Sequence, residues 1–265
     1  MVIIIKKKCI IIALIFIMSI ALIFIVLLTP VISVPSLIYL KDTEDKYAKI
    51  YNVKQVDKLS LLTSGNNDYF LSNLKYCDNL RELTIDLNIY PNIDISSLSS
   101  LNINNLILVN YKYGDIFNGF ENLNNLTLLY PDTCDCKMFV DLSNLKELYL
   151  DTDEIANIDA LSKLDSLEEL SVYVPILKFK SIDNLKVLNI NSNEIENIDD
   201  IIEMSDLEVI SISNVQTVGI SLELFTKLPN LKSLKLSNCK IVDSTKMTKE
   251  FTDMLKNKLE EFDIS

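Results

Sequence analysis

The chain has 265 residues, 49% of them hydrophobic, with only 4 glycines and no histidine. That composition excludes a disordered chain, and the missing histidine removes Ser-His-Asp and Cys-His nucleophiles, histidine bases and histidine metal sites together. Against 25 basic residues stand 37 acidic ones, a net charge of −12, which argues against nucleic acid as a partner because phosphate binding needs clustered Lys and Arg.

At the amino terminus Lys6, Lys7 and Lys8 are the only charges before position 41. An apolar run from Cys9 to Leu28 follows, broken only by Ser19. A helix of that length spans ~30 Å, the thickness of a hydrocarbon core. Secretory leaders carry a shorter apolar segment, ~7–15 residues. The expectation is therefore an uncleaved signal anchor; the alternative is cleavage after Ser33, which would release a secreted protein. The expected organisation is a basic cytoplasmic tail (1–8), a transmembrane helix (9–28), a stalk and the start of an amino-terminal cap (29–47), and a folded region from 48 to 265. Lysines before the span and an acidic region after it put the amino terminus in the cytoplasm and the folded region outside. Pro30 and Pro35 suit the stalk, and Cys9 reads as one more apolar residue of the span.

From Val56 onward one spacing recurs: apolar, two residues, apolar, one residue, apolar. Good copies start at Leu80, Ile103, Leu123, Leu145, Leu167, Leu185, Leu207 and Leu231, with weaker ones at Val56 and Leu259. Successive starts lie 18–28 residues apart. Such a period means that one small unit is stacked, since no single unit can bury its own apolar edge. The alternation in Leu148-Tyr149-Leu150 is that of a short strand with one face buried. Later apolar residues (Ile155, Ile158, Leu161, Leu164, and again Ile195, Ile198, Ile201, Met204) come too tightly for a strand and predict a 3₁₀ turn or short helix on the far side. Ten such rungs at ~4.8 Å make a solenoid roughly 45 Å long. Near the end, Met247, Phe251, Met254, Leu255 and Leu259 predict an amphipathic helix that closes the core.

The pattern resembles leucine-rich repeats, most closely the 22-residue type of internalins and a phosphatase regulatory subunit, over about residues 56–265. The resemblance implies an α/β solenoid with a curved parallel sheet on its concave side and short helical or 3₁₀ turns on its convex side, here preceded by the transmembrane helix. It implies a module that binds other molecules, and a buried turn asparagine, found at Asn88 and Asn193 and one place early at Asn110, Asn214 and Asn238. The unit from Leu167 departs from the type, with only 18 residues.

In this frame Cys77, Cys136 and Cys239 take inward positions on separate rungs, too far apart for a disulfide, and Cys134 is left as the exposed thiol. Cys134-Asp135-Cys136 is a poor metal motif without histidine, so neither a metal nor a cofactor is expected. No phosphate-binding glycine loop occurs. Glu147 and Glu169, on neighbouring rungs, are the kind of carboxylate pair that glycosidases use. On an open sheet they read instead as a solvated face, and the chain is not expected to be an enzyme. The sequon Asn125-Leu126-Thr127 falls in a strand and reads as accidental.

Residues flanking the last two apolar positions of each strand point to the concave face. There Ile107, Val109, Leu129, Tyr149 and Tyr173 form an apolar and aromatic cluster across four adjacent rungs, rimmed by Asp86, Glu147, Asp151 and Glu169. Exposed aromatic area within a polar rim is how interface hot spots are built. The expected function is a membrane-anchored, extracytoplasmic interaction module that binds a protein or glycan at the cell surface through this face. The alternative is a spacer of the cell envelope without a ligand, in which such residues merely suit a strand surface.

Overall fold

The structure, a computed structural model, describes residues 39–41, 47–49, 57–62, 74, 77–91, 93–111, 117–129 and 132–265. The basic tail, the span 9–28 with Cys9, and most of the stalk lie outside the described residues. Among the described residues no helix is long and apolar enough to cross a membrane. Within the stretch read as stalk end and cap start, Tyr39–Lys41 pairs antiparallel with Tyr47–Lys49.

Each copy of the spacing becomes one strand: β1 (Lys58–Leu61), β2 (Glu82–Asp86), β3 (Asn105–Val109), β4 (Asn125–Leu129), β5 (Glu147–Asp151), β6 (Glu169–Tyr173), β7 (Val187–Asn191), β8 (Val209–Ser213), β9 (Ser233–Ser237) and β10 (Glu261–Ile264). They form one parallel sheet in strict chain order. The register matches equivalent positions, so Leu126, Leu148, Leu170, Leu188, Ile210 and Leu234 stand side by side. One local device recurs at every step. The first strand residue and the one before it both donate to a single carbonyl one rung back, as Lys186 and Val187 do to Glu168 at 2.8 and 3.0 Å, and Lys232 and Ser233 to Glu208 at 2.8 and 3.0 Å. Units of 18 and of 28 residues therefore leave the sheet in the same register.

The apolar residues of the spacing form one continuous core, in which Leu80, Leu145, Leu188, Ile210 and Leu234 are fully buried. Differences in unit length are absorbed on the far side. There 3₁₀ turns span Ser96–Ser100, Cys136–Phe139, Ile158–Lys163 and Ile198–Glu203, and a single α-helical turn, α1, spans Glu223–Thr226. Two of these turns are entered through a left-handed asparagine, Asn157 (φ 52°) and Asn197 (φ 59°). Asparagine tolerates that conformation better than most residues because its short amide can bond locally. The 18-residue unit from Leu167 has no helical turn; it returns through the strand Ile176–Lys178, which pairs with Glu194–Glu196. Extended backbone covers ~3.3 Å per residue against ~2 Å in a 3₁₀ turn, so fewer residues complete the circuit, and Phe179 and Ile182 fill the core beneath it.

At the end, α2 (Thr245–Lys258) is capped by Ser244, whose Oγ accepts from the Met247 amide at 3.4 Å. Leu255 and Leu259 are buried and Phe251 packs partly against the core, but Met247 and Met254 are 42% and 50% exposed. Residue 254 sits ~100° around the helix from Leu255, so a helix lying on the rim of the stack buries one and leaves the other out. The expectation that both methionines close the core is corrected accordingly.

Two further expectations change. Cys134 is fully buried, because Cys134–Asp135 is a short strand paired with Ile155–Ala156, and alternation turns Cys134 and Cys136 inward and Asp135 outward. Cys239, expected inside, is half-buried and donates its thiol to the carbonyls of Ile212 and Ser237 at 3.4 and 3.3 Å. The turn asparagines Asn88 and Asn193 are exposed. The position before each consensus site decides what is buried. Where it is Thr152, Val174 or Ser192, that residue turns in. Where it is Asn110 or Asn214, the asparagine is left-handed and the next residue, Tyr111 or Val215, is buried instead.

Candidate binding face

The outward residues of the sheet fall into three columns set by the strand register. The first runs Glu82, Asn105, Asn125, Glu147, Glu169, Val187; the second Thr84, Ile107, Thr127, Tyr149, Ser171, Asn189; the third Asp86, Val109, Leu129, Asp151, Tyr173, Asn191. All nine residues expected in the cluster and its rim lie on this face. In the third column Val109 and Leu129 are direct neighbours, and Asp151 separates them from Tyr173. In the second, Thr127 stands between Ile107 and Tyr149. Tyr149 and Tyr173 lie diagonally on adjacent strands with ring centroids 5.2 Å apart and planes tilted by 32°. Tyr173 is 38% exposed and Tyr149 half-buried.

A shallow concavity of about 240 Å³ opens beside the rings, lined by residues of the first two columns that include Ile107, Thr127, Glu147, Tyr149, Glu169 and Ser171. Its carboxylates are hydrogen-bonded sideways to amides of neighbouring strands. Asn125 donates through Nδ2 to Glu147, and Asn189 donates to Glu169 at 3.4 Å and to the Ser171 hydroxyl at 3.0 Å. Partial removal from water, and next the neighbouring Glu147 charge, raise the Glu169 carboxyl above its usual range. Asp151 is raised by the same loss of water and then by Asp153.

Asp86 proves to be a turn residue rather than a free rim charge. Its Oδ1 accepts from the Asn88 amide at 2.9 Å and from Asn110 Nδ2 at 2.8 Å. A second, smaller depression lies beyond Tyr173, lined by Asn189, Asn191, Ser211 and Ser213. Sequence reasoning ranked outward residues by apolar character and so passed over this hydroxyl- and amide-rich half. The Ser211-Ile212-Ser213 of β8, after Asn189 and Asn191 of β7, was its signal. Among the described residues no group of three or more Cys, Asp or Glu could hold a metal ion.

Residues 183–241, the units forming β7 to β9, match the family model described as leucine rich repeat. No curated protein matches the chain by sequence. Similar solved structures include internalin C2 of Listeria monocytogenes, at 20% identity and a TM-score of 0.49 over 84% of this chain and 86% of that one. A second Listeria internalin shares 16% identity, with a TM-score of 0.44 over 83% and 84%. A leucine-rich-repeat protein of Leptospira interrogans shares 18% identity, with a TM-score of 0.47 over 80% of this chain and 67% of that one. That sequence match, confined to residues 183–241, lies inside a longer stack of the same strand-and-turn unit.

Proposed function

We propose that the chain is a membrane-anchored, extracytoplasmic interaction module that holds a protein partner against the open, concave face of its sheet. Leucine-rich-repeat proteins in general bind other proteins, and the Tyr149–Tyr173 pair is the observation that carries this reading. Aromatic rings expose large, rigid area at low entropic cost and keep a hydroxyl for hydrogen bonding. The anchor and its orientation rest on Lys6 to Lys8 and the apolar run Cys9 to Leu28.

Two experiments test the proposal. Protease added to intact cells should remove the region after Leu40 and spare the amino terminus; a fully protected domain would exclude the surface location. Cross-linked capture on those cells should weaken in the Tyr149→Ala/Tyr173→Ala variant while the melting temperature stays nearly unchanged. Cross-links that map to the convex turns with unchanged capture would refute the site. A spacer role is favoured by one observation only, the small side chains Ser211, Ser213, Ser233 and Ser237 that occupy the far half of the face; a spacer would show no partner at all.

A further inference from the structure

Three acidic side chains elsewhere on the solenoid are paired with lysines across neighbouring rungs: Glu82 with Lys58 at 2.6 Å, Glu168 with Lys186 at 3.2 Å and Glu208 with Lys232 at 2.6 Å. Around the tyrosines that arrangement stops. Among the described residues Glu147, Asp151 and Glu169 have no cation within ion-pair distance. The outward positions of β7 and β8 carry no charge, and the next outward cation along the sheet is Lys235, three strands beyond β6. Glu147 and Glu169 stand in register on adjacent strands, one strand spacing apart, and the Glu147 charge disfavours that of Glu169. Two residues along, on the same strands, lie the Tyr149 ring and then Asp151 with Tyr173.

We propose that this part of the face takes a basic protein segment, with an arginine or lysine side chain laid over the Tyr149 and Tyr173 rings between Glu147 and Glu169 on one side and Asp151 on the other. This rests on the proposed function and names the chemistry of its partner. A cation within ~6 Å of a tyrosine face is attracted by the ring, and a planar guanidinium can stack there while its N–H groups reach a carboxylate. The same cation relieves the repulsion between the two glutamates. A neutral glycan could stack on the rings, but it would take further water from three carboxylates and return no charge to them. The raised Glu169 and Asp151 carboxyls are those of groups already short of water and of a counter-charge.

The test uses the full chain in detergent, immobilised and titrated with a short arginine-containing peptide, and with the same peptide carrying neutral citrulline in place of arginine. Wild type should bind the arginine peptide about tenfold or more tightly than the citrulline one. Glu147→Gln/Glu169→Gln should lose about tenfold for the arginine peptide. Asp159→Asn/Asp199→Asn, which removes the same charge from exposed convex positions, should change it less than about twofold. Tyr173→Leu gives a second variant, and thermal melts confirm folding throughout. Equal losses in the two double variants would reduce the effect to net charge and overturn the proposal, as would equal binding of the citrulline peptide or no binding of the arginine peptide. If a cell-surface partner then cross-links to this face through a neutral or glycan segment, the basic-segment assignment fails while the binding face stands. If cross-links avoid the face, both fail.

Discussion

Asn238 donates through Nδ2 to the Oδ1 of Asn214 at 2.8 Å, and Asn214 donates in the same way to Asn191 at 2.9 Å. The side-chain ladder runs across three rungs just past the strands, where Asn214 and Asn238 are both left-handed. Asn214→Ala removes the middle amide and puts a Cβ-bearing residue without local compensation at positive φ. Urea unfolding should show a loss of about 1–3 kcal/mol. Asn214→Gly should recover the backbone part and remain short by the hydrogen bonds; a neutral alanine variant would show that the ladder contributes nothing.

The core makes a second prediction. Leu148 and Leu188 are buried to within 1% and stand in the same core row, with Leu170 between them. Either residue replaced by Ala should cost ~2–5 kcal/mol, because a stacked core cannot collapse around one missing side chain. Ile202→Ala, at a side chain 41% exposed, should stay within ~0.5 kcal/mol in the same thermal melts.

Glu169 sets a pH dependence with a definite sign. Its folded carboxyl is raised above the ordinary value of 4.5, so between that value and the raised one the folded chain holds more proton than the unfolded chain. Stability contributed at this position is therefore lost as pH rises through that window. Glu169→Gln should melt higher than wild type at neutral pH, and the gap should close once the pH falls below 4.5. A gap that persists in acid would remove the carboxylate as its cause.

Thiol labelling separates the cysteines by burial. Half-buried Cys239 should react first among Cys77, Cys134, Cys136 and Cys239, with the other three slow until unfolding. Burial, and next Asp78, push the Cys77 thiol up to about 11. The Cys136 thiol is raised by its hydrogen bond with Cys134 and then by burial. Rapid modification of Cys134 in the native protein would mean that its strand with Ile155–Ala156 does not form.

How much of this was legible in the sequence follows from how local each cause is. The ten strands lie where the apolar spacing puts them, even at Val56 and Leu259, because each strand needs only its own alternation and the rung before it. The far side was less legible. The strand Cys134–Asp135 depends on Ile155–Ala156, a unit later, and no pattern within Cys134-Asp135-Cys136 announces it. The left-handed asparagines were misread for a similar reason: one-place differences between Asn193 and Asn214 looked like drift, yet they mark two distinct turns. At the site, the period placed every outward residue in its column. It could not show that the Tyr149 and Tyr173 rings would meet across the diagonal at 5.2 Å, since that depends on side-chain orientation rather than on the period.

The sheet in strict chain order has a consequence for how such a gene can change. Each strand is bonded only to the strands before and after it in sequence, so a whole unit could be duplicated or lost as a coil gains or loses one loop, with new seams that match the old. Stability hardly polices that event; position on the face does. One unit inserted between β5 and β6 would leave a sound solenoid and carry Tyr173 one rung further from Tyr149, and the carboxylate pair of Glu147 and Glu169 would part with them. Recognition, more than folding, would then fix the number of repeats on this stretch of the chain.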